Sequence, residues 1–176
     1  VAAGTFHDTG VQCTSNFMAV YPYDEANVIK DSVLTATIPA VQQLASGSPI
    51  APGAVVSVAK SADKNLAFHN CMAVFKLTIP RDDIKKVEIC SYSKEDVLAG
   101  QFTVDMKKDV DVVPVSEQCD SVITLLPAGA SFAPGSYYAS FLPGTHNGIN
   151  IRFTNLKDET VTIAQKDIIT YRVNEG

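Results

Sequence analysis

The sequence predicts an all-β domain, an antiparallel β-sandwich, and three observations carry that reading. Val, Ile, Thr, Tyr and Phe come in short alternating groups; the 9 Pro and 10 Gly of the 176 residues fall mostly between those groups; and no stretch longer than a turn has the period of an amphipathic helix. Successive strand side chains point to opposite faces, so a sheet with one face in a core reads as period-two alternation. β-branched and aromatic residues suit such a surface, and Gly and Pro punctuate it.

Taken in order, 11–21 reads as an extended segment closed by Pro22, Asp24 and Glu25, and 28–38 as a second one stopping at Pro39. Residues 40–53, with Gln42, Gln43, Ser46, Gly47, Pro49 and Pro52, read as a polar, kinked loop. The clearest strand is expected over 65–79, where Ala73, Phe75, Leu77 and Ile79 share one face and Met72, Val74, Lys76 and Thr78 the other, until Pro80 ends it. Further strands are expected at 86–92, at 99–106 with Phe102, Val104 and Met106 inward, at 110–115 and at 121–126. Pro114 has no N–H to donate to a ladder, so 110–115 is expected at an edge or a break. After 137–142, the Asn147-Gly148 pair is expected to supply the positive φ of a tight reversal before Ile149, Ile151 and Phe153 alternate with Asn150, Arg152 and Thr154. A last hairpin is expected to pair 161–164 with 168–173. Ten or eleven short strands at this spacing fit antiparallel connections, because parallel neighbours need crossovers of about a dozen residues or more. No linker divides the chain, so 1–176 is read as a single domain.

Composition narrows the function. The 14 Lys and Arg stand against 19 Asp and Glu, a net charge of −5, and the basic clusters are no longer than Lys85-Lys86 and Lys107-Lys108. Nucleic acid requires a cationic face that displaces counterions, so no nucleic-acid partner is expected. The apolar runs are only a few residues long, far short of the roughly 20 of a spanning helix.

Catalytic patterns are missing as well. There is no GxSxG elbow and no phosphate-binding glycine loop, and His7, His69 and His146 are isolated. The acid pairs Asp82-Asp83, Glu95-Asp96 and Asp158-Glu159 fall at predicted turns, where carboxylates cap local backbone groups. Asp105, Asp109 and Asp111 are interrupted by Lys107 and Lys108 and lack the glycine and terminal Glu of a calcium loop. Cys13, Cys71, Cys90 and Cys119 are widely spaced, which argues against zinc; buried thiols are favoured, with one or two disulfides left open. No cofactor, metal or catalytic residue is expected. Tyr21, Tyr23, Tyr92, Tyr137 and Tyr138 are the aromatics that could stack on a sugar. In Tyr137-Tyr138 one ring must face the core and the other away, so this pair is the candidate glycan contact of an alternative reading, a carbohydrate-binding module for glycan capture.

Several phrases, in this order, resemble the fimbrillin-like proteins of the Bacteroidales: Phe17-Met18-Ala19-Val20-Tyr21-Pro22-Tyr23, Ile38-Pro39-Ala40-Val41-Gln42, and Leu66-Ala67-Phe68-His69-Asn70-Cys71-Met72-Ala73-Val74-Phe75-Lys76-Leu77. Leu98-Ala99-Gly100-Gln101-Phe102-Thr103-Val104 and Tyr137-Tyr138-Ala139-Ser140-Phe141-Leu142-Pro143-Gly144-Thr145 complete the set. The resemblance implies a transthyretin-like, Greek-key sandwich, exported to the cell surface as an outer-membrane lipoprotein or fimbrial subunit. It implies structural and adhesive work with other fimbrial subunits or with host or bacterial surface ligands. Family members are longer, with a second sandwich, so the chain reads as the N-terminal domain of a longer protein. Arg81, Arg152 and Arg172 lie away from the start and Cys13 lies inside a strand-like run, so the family's arginine-cleaved leader and lipid-bearing cysteine are not matched here.

An all-β domain also exposes unpaired main-chain groups at its sheet edges, and a partner strand can complete the ladder there. Residues 110–115 and 168–173 are the expected edges. Pro114 blunts the first, leaving Ile168, Ile169, Thr170, Tyr171, Arg172 and Val173 as the candidate assembly edge.

Overall fold

Where the sequence alternates, the chain is extended. A computed structural model describes residues 16–62, 65–93, 95–107, 111–165 and 169–171, with the backbone alone at 116, 118, 165 and 169–171. Described residues form strands and turns with no helix. In chain order the strands are β1 (Phe17–Tyr21), β2 (Val28–Lys30), β3 (Val33–Ile38), β4 (Val41–Gln43), β5 (Ser57–Ser61), β6 (His69–Asn70), β7 (Ala73–Ile79) and β8 (Ile84–Ser91). They continue as β9 (Ala99–Asp105), β10 (Val112–Asp120), β11 (Val122–Leu126), β12 (Gly135–Phe141), β13 (Gly144–His146), β14 (Ile149–Asn155), β15 (Thr160–Gln165) and β16 (Ile169–Tyr171). Hydrogen bonding orders them as β1-β5-β6, β10-β9-β3-β2, β15-β14-β8-β11-β4, β12-β7 and β13-β16. Every strand pair is antiparallel except β4 with β11, which is parallel.

Four of the five sheets feed one core. Leu34 and Ala36 on β3 stand opposite Val104 and Phe102 on β9, and all four are buried. In the five-stranded sheet Val87 and Ile89 of β8 stand opposite Leu125 and Ile123 of β11, again buried. Val58 of β5 and Leu77 and Ile79 of β7 join the same cluster. Each Val, Leu, Ile or Phe among them contributes about 1.5–3 kcal/mol by leaving water, so the cluster is what holds the layers face to face.

Several sequence expectations are corrected by the structure. The 28–38 stretch is a hairpin, because Asp31 and Ser32 adopt φ of +54° and +69° between β2 and β3; this reversal is made without glycine, and Asp is among the few residues whose short polar side chain tolerates that region. The 65–79 strand breaks after Asn70, whose side chain donates to the Met72 carbonyl and accepts from the Met72 N–H, both at 2.9 Å. That local clamp turns the chain from one sheet to another. The 40–53 loop contains a strand, β4. Asn147-Gly148 is a corner between sheets: only Gly148 has positive φ, +109°, and β13 pairs with β16 while β14 pairs with β8 and β15. Among the described residues the expected pairing of 161–164 with 168–173 is not found: β15 pairs with β14, and β16 with β13.

Candidate functional site

The five-stranded sheet places its functional features at its two ends. At one end Gln42 stands opposite Leu125 in the parallel β4–β11 pair and is 0% exposed. A buried amide is costly unless hydrogen-bonded. Gln42 Nε2 donates to the Ser140 carbonyl at 2.5 Å and to the Pro39 carbonyl at 3.3 Å, while its Oε1 accepts the Ser140 N–H at 3.0 Å. One side chain thus satisfies both main-chain groups of a β12 residue, as a neighbouring strand would. Gln43 Nε2 donates to the Pro127 carbonyl beside it.

The other end is open. In the β14–β15 pair Phe153 stands opposite Val161 and Ile151 opposite Ile163, and residues directly opposite share a face. Two apolar rows therefore cross the sheet, Leu125–Val87–Phe153–Val161 and Ile123–Ile89–Ile151–Ile163. Along them burial falls from complete at β11 and β8, through half-buried at β14, to 66% exposure at Val161 and 57% at Ile163. The inner face of the sheet outruns the layer that covers it. Charge sits on the opposite face, where Arg152 and Lys86 approach Glu88 at 3.5 and 3.1 Å. Among the described residues β15 hydrogen-bonds to β14 alone, and its sequence, Thr160-Val161-Thr162-Ile163-Ala164-Gln165, has no charge, no Pro and no Gly.

The other ends of the four- and five-stranded sheets carry the usual deterrents to strand addition. β10 ends the four-stranded sheet with Pro114, Glu117 and Asp120 and a register shift between Pro114 and Cys119. β2, at the far side of that sheet, is three residues long and ends on Lys30. β4 is equally short.

Of the expected assembly edge, Ile169, Thr170 and Tyr171 form β16 and pair with His146, Thr145 and Gly144 of β13; Ile168, Arg172 and Val173 lie outside the described residues. β13 thus occupies one side of that segment. Sequence reasoning passed over β15 because it assigned 168–173 to that strand as a hairpin partner. The signal was an alternating, uncharged run of six residues.

The tyrosines divide as alternation requires. Tyr137 packs on the core beside Phe132, ring centroids 5.0 Å apart, and donates its hydroxyl to the Ala133 carbonyl at 2.7 Å. Tyr138 lies on the other face, its N–H bonded to the Pro49 carbonyl at 2.8 Å. Tyr21 meets Phe68 edge to face at 73°, so neither pair presents two rings in one plane to a sugar.

Several other polar residues make local contacts. Asp105 Oδ1 accepts the Lys107 N–H at 3.0 Å, and Asp109 lies outside the described residues. Asp83 holds Arg81, whose guanidinium keeps that carboxyl below its usual range. Asp96 accepts the Ser91 hydroxyl at 2.7 Å and the Asn147 N–H at 2.9 Å. Burial works to raise its pKa, but the bonds from Asn147 and Ser91, with His146 nearby, hold it below the usual carboxylate range. His146 is buried, and its pKa is lowered because desolvation outweighs Asp96 and the Leu142 carbonyl. Cys71, Cys90 and Cys119 are free thiols; burial pushes Cys71 up to about 12, too high for a thiolate nucleophile at neutral pH, and raises the other two. Cys13 lies outside the described residues. An open hollow of about 560 Å³ lies where Phe17 and Met18 meet Ser32, Lys60 and Met106; Lys60 Nζ donates to the Lys107 carbonyl at 3.2 Å there. Among the described residues no three His, Cys, Asp or Glu side chains converge as metal ligands would.

Comparison with known proteins places the fold. No family model matches the sequence. No curated protein matches it. Among solved structures, the fold is similar to a putative cell adhesion protein from Bacteroides ovatus, with a TM-score of 0.54 and 14% sequence identity over 97% of this chain. The match spans 65% of that protein's chain, less than two thirds of its length.

Proposed function

We propose that the chain is a non-catalytic adhesive domain of a fimbrium-related surface protein, and that it joins its neighbours through sheet edges. The observation that carries this reading is the far end of the five-stranded sheet, where β15 has β14 as its one strand neighbour among the described residues and an apolar shelf of Val161 and Ile163 is exposed beside it. Strand addition uses both, the backbone for affinity and alternate side chains for specificity. Two observations support the reading. The fold resembles that of a protein described as a cell adhesion protein. Asp83, Asp96 and Asp105 are engaged in an ion pair and local hydrogen bonds, and the Cys71 thiol is buried.

In this reading the sandwich is transthyretin-like with Greek-key connections, supported by the non-sequential neighbours β3–β9 and β8–β14. The chain is the N-terminal domain of a longer exported lipoprotein, anchored at the outer membrane or built into a fimbrium. Its partners are other fimbrial subunits or ligands on host or bacterial surfaces. The test is display of the full-length protein on a non-adherent bacterial strain. Adherence to host cells or to other bacteria should rise above that of the strain carrying an unrelated β-sandwich; equal adherence would overturn the proposal.

A further inference from the structure

We infer that β15 is a self-complementary interface, at which two copies of this chain pair β15 against β15 across a two-fold axis normal to the sheet. The inference rests on the edge-assembly reading and names its partner. In an antiparallel self-pair with such an axis, faces are preserved, so the axis must pass through a residue. Centred on Thr162, the register sets Thr162 against Thr162 of the second copy, Val161 against Ile163, and Thr160 against Ala164. Val161 and Ile163, 66% and 57% exposed, lie on one face. Both apolar rows then run unbroken from one protomer into the next, and the two five-stranded sheets become one. No charged side chain of β15 opposes another, so nothing in the strand repels its copy. An exposed, regular, uncharged edge is otherwise a site of unwanted association, and β10 shows that this chain has such deterrents elsewhere.

The two-fold makes a specific geometric demand. Opposed Cα atoms in an antiparallel pair lie about 4.5–5.5 Å apart, within disulfide range, and only the residue on the axis meets its own copy. Under mild oxidation Thr162→Cys should form a covalent dimer at least ten times faster than Thr160→Cys or Ala164→Cys, with the parent protein as the thiol control. Sedimentation of the intact protein should show a concentration-dependent dimer. Val161→Lys with Ile163→Lys, at positions already exposed in the monomer, should raise its dissociation constant at least 100-fold without changing the folded spectrum. A monomer at millimolar concentration, or equal cross-linking at the three positions, would overturn the pairing. If the protein is monomeric yet β15 amides gain exchange protection when a different subunit is added, self-pairing is wrong while edge assembly survives. Lost adherence with dimerisation intact would count only against the adhesive reading.

Discussion

The two ends of the five-stranded sheet carry similar side chains and finish in opposite ways. At the β4 end Ile123 and Leu125 have no exposure, and Gln42 completes the hydrogen bonding of Ser140 on β12. At the β15 end Val161 and Ile163 continue the same two rows into solvent. Local hydrophobicity does not set this difference, for Ile163 is as apolar as Ile123. What differs is whether the facing layer reaches that far, which is a property of topology. A second contrast sharpens the first: β10 ends its sheet behind Pro114, Glu117 and Asp120, whereas β15 has nothing comparable.

The most direct way to break the comparison is to truncate the same residue type at each end. Ile123→Ala should destabilise the protein by about 2–5 kcal/mol, through lost transfer energy and a residual cavity. Ile163→Ala should cost the monomer less than about 0.5 kcal/mol, as an exposed position. Urea denaturation at a concentration where the protein is monomeric measures both, and similar losses would mean that the open end is covered in solution.

Gln42→Leu tests what closes the β4 end. It leaves the buried Ser140 N–H and carbonyl without the amide that serves them, and a buried group deprived of its partner costs about 1–3 kcal/mol. A loss of about 2–4 kcal/mol is expected, with β12 amides exchanging faster. A neutral result would show that β12 needs no such clamp.

Acid gives a smaller handle on the same side of the molecule. His146 lies six residues after Ser140, and its folded pKa is below 6.5 because burial penalises the charged ring. The unfolded chain therefore takes up a proton first as pH drops. Its contribution is unaffected above about 6.5, is lost as pH falls from there toward the folded pKa, and then levels off. Denaturation midpoints measured between pH 8 and 5 should fall in that window, and His146→Gln should flatten the slope.

These contrasts show which parts of the design were legible in the sequence. Alternation located the cores of β3, β7, β9 and β14, because one buried face imposes a period of two whatever the sheet's partners are. Pro114 marked β10 as an edge through its missing N–H. Pairing was less visible. The β2–β3 turn is made by Asp31 and Ser32 in place of the glycine that usually announces a reversal. β4 hides in a polar stretch because its inward residue is Gln42, polar by type and buried only because Ser140, 98 residues away, supplies its partners. The edge position of β15, which pairs with β14 alone among the described residues, was masked by an assumed hairpin with 168–173, since alternation shows that a strand exists but not which strand lies beside it.

The smallest expected effect separates the two faces of the open end. Arg152 stands opposite Glu88 on the outer face, 3.5 Å from it, with its side chain 47% exposed. Lys86 also approaches Glu88, at 3.1 Å. An exposed pair of this kind contributes about 0–1 kcal/mol and is screened by salt, and Lys86 remains to neutralise Glu88 when the arginine is gone. Arg152→Ala should therefore shift the denaturation midpoint by less than about 0.5 kcal/mol in stability, with the shift vanishing in high salt. Its dimerisation should match the parent's, because the apolar rows that continue across β15 lie on the opposite face. If Arg152→Ala disrupted association as strongly as Val161→Lys with Ile163→Lys, the charged outer face would be the contact surface, and the contrast between covered and uncovered rows would lose its functional meaning.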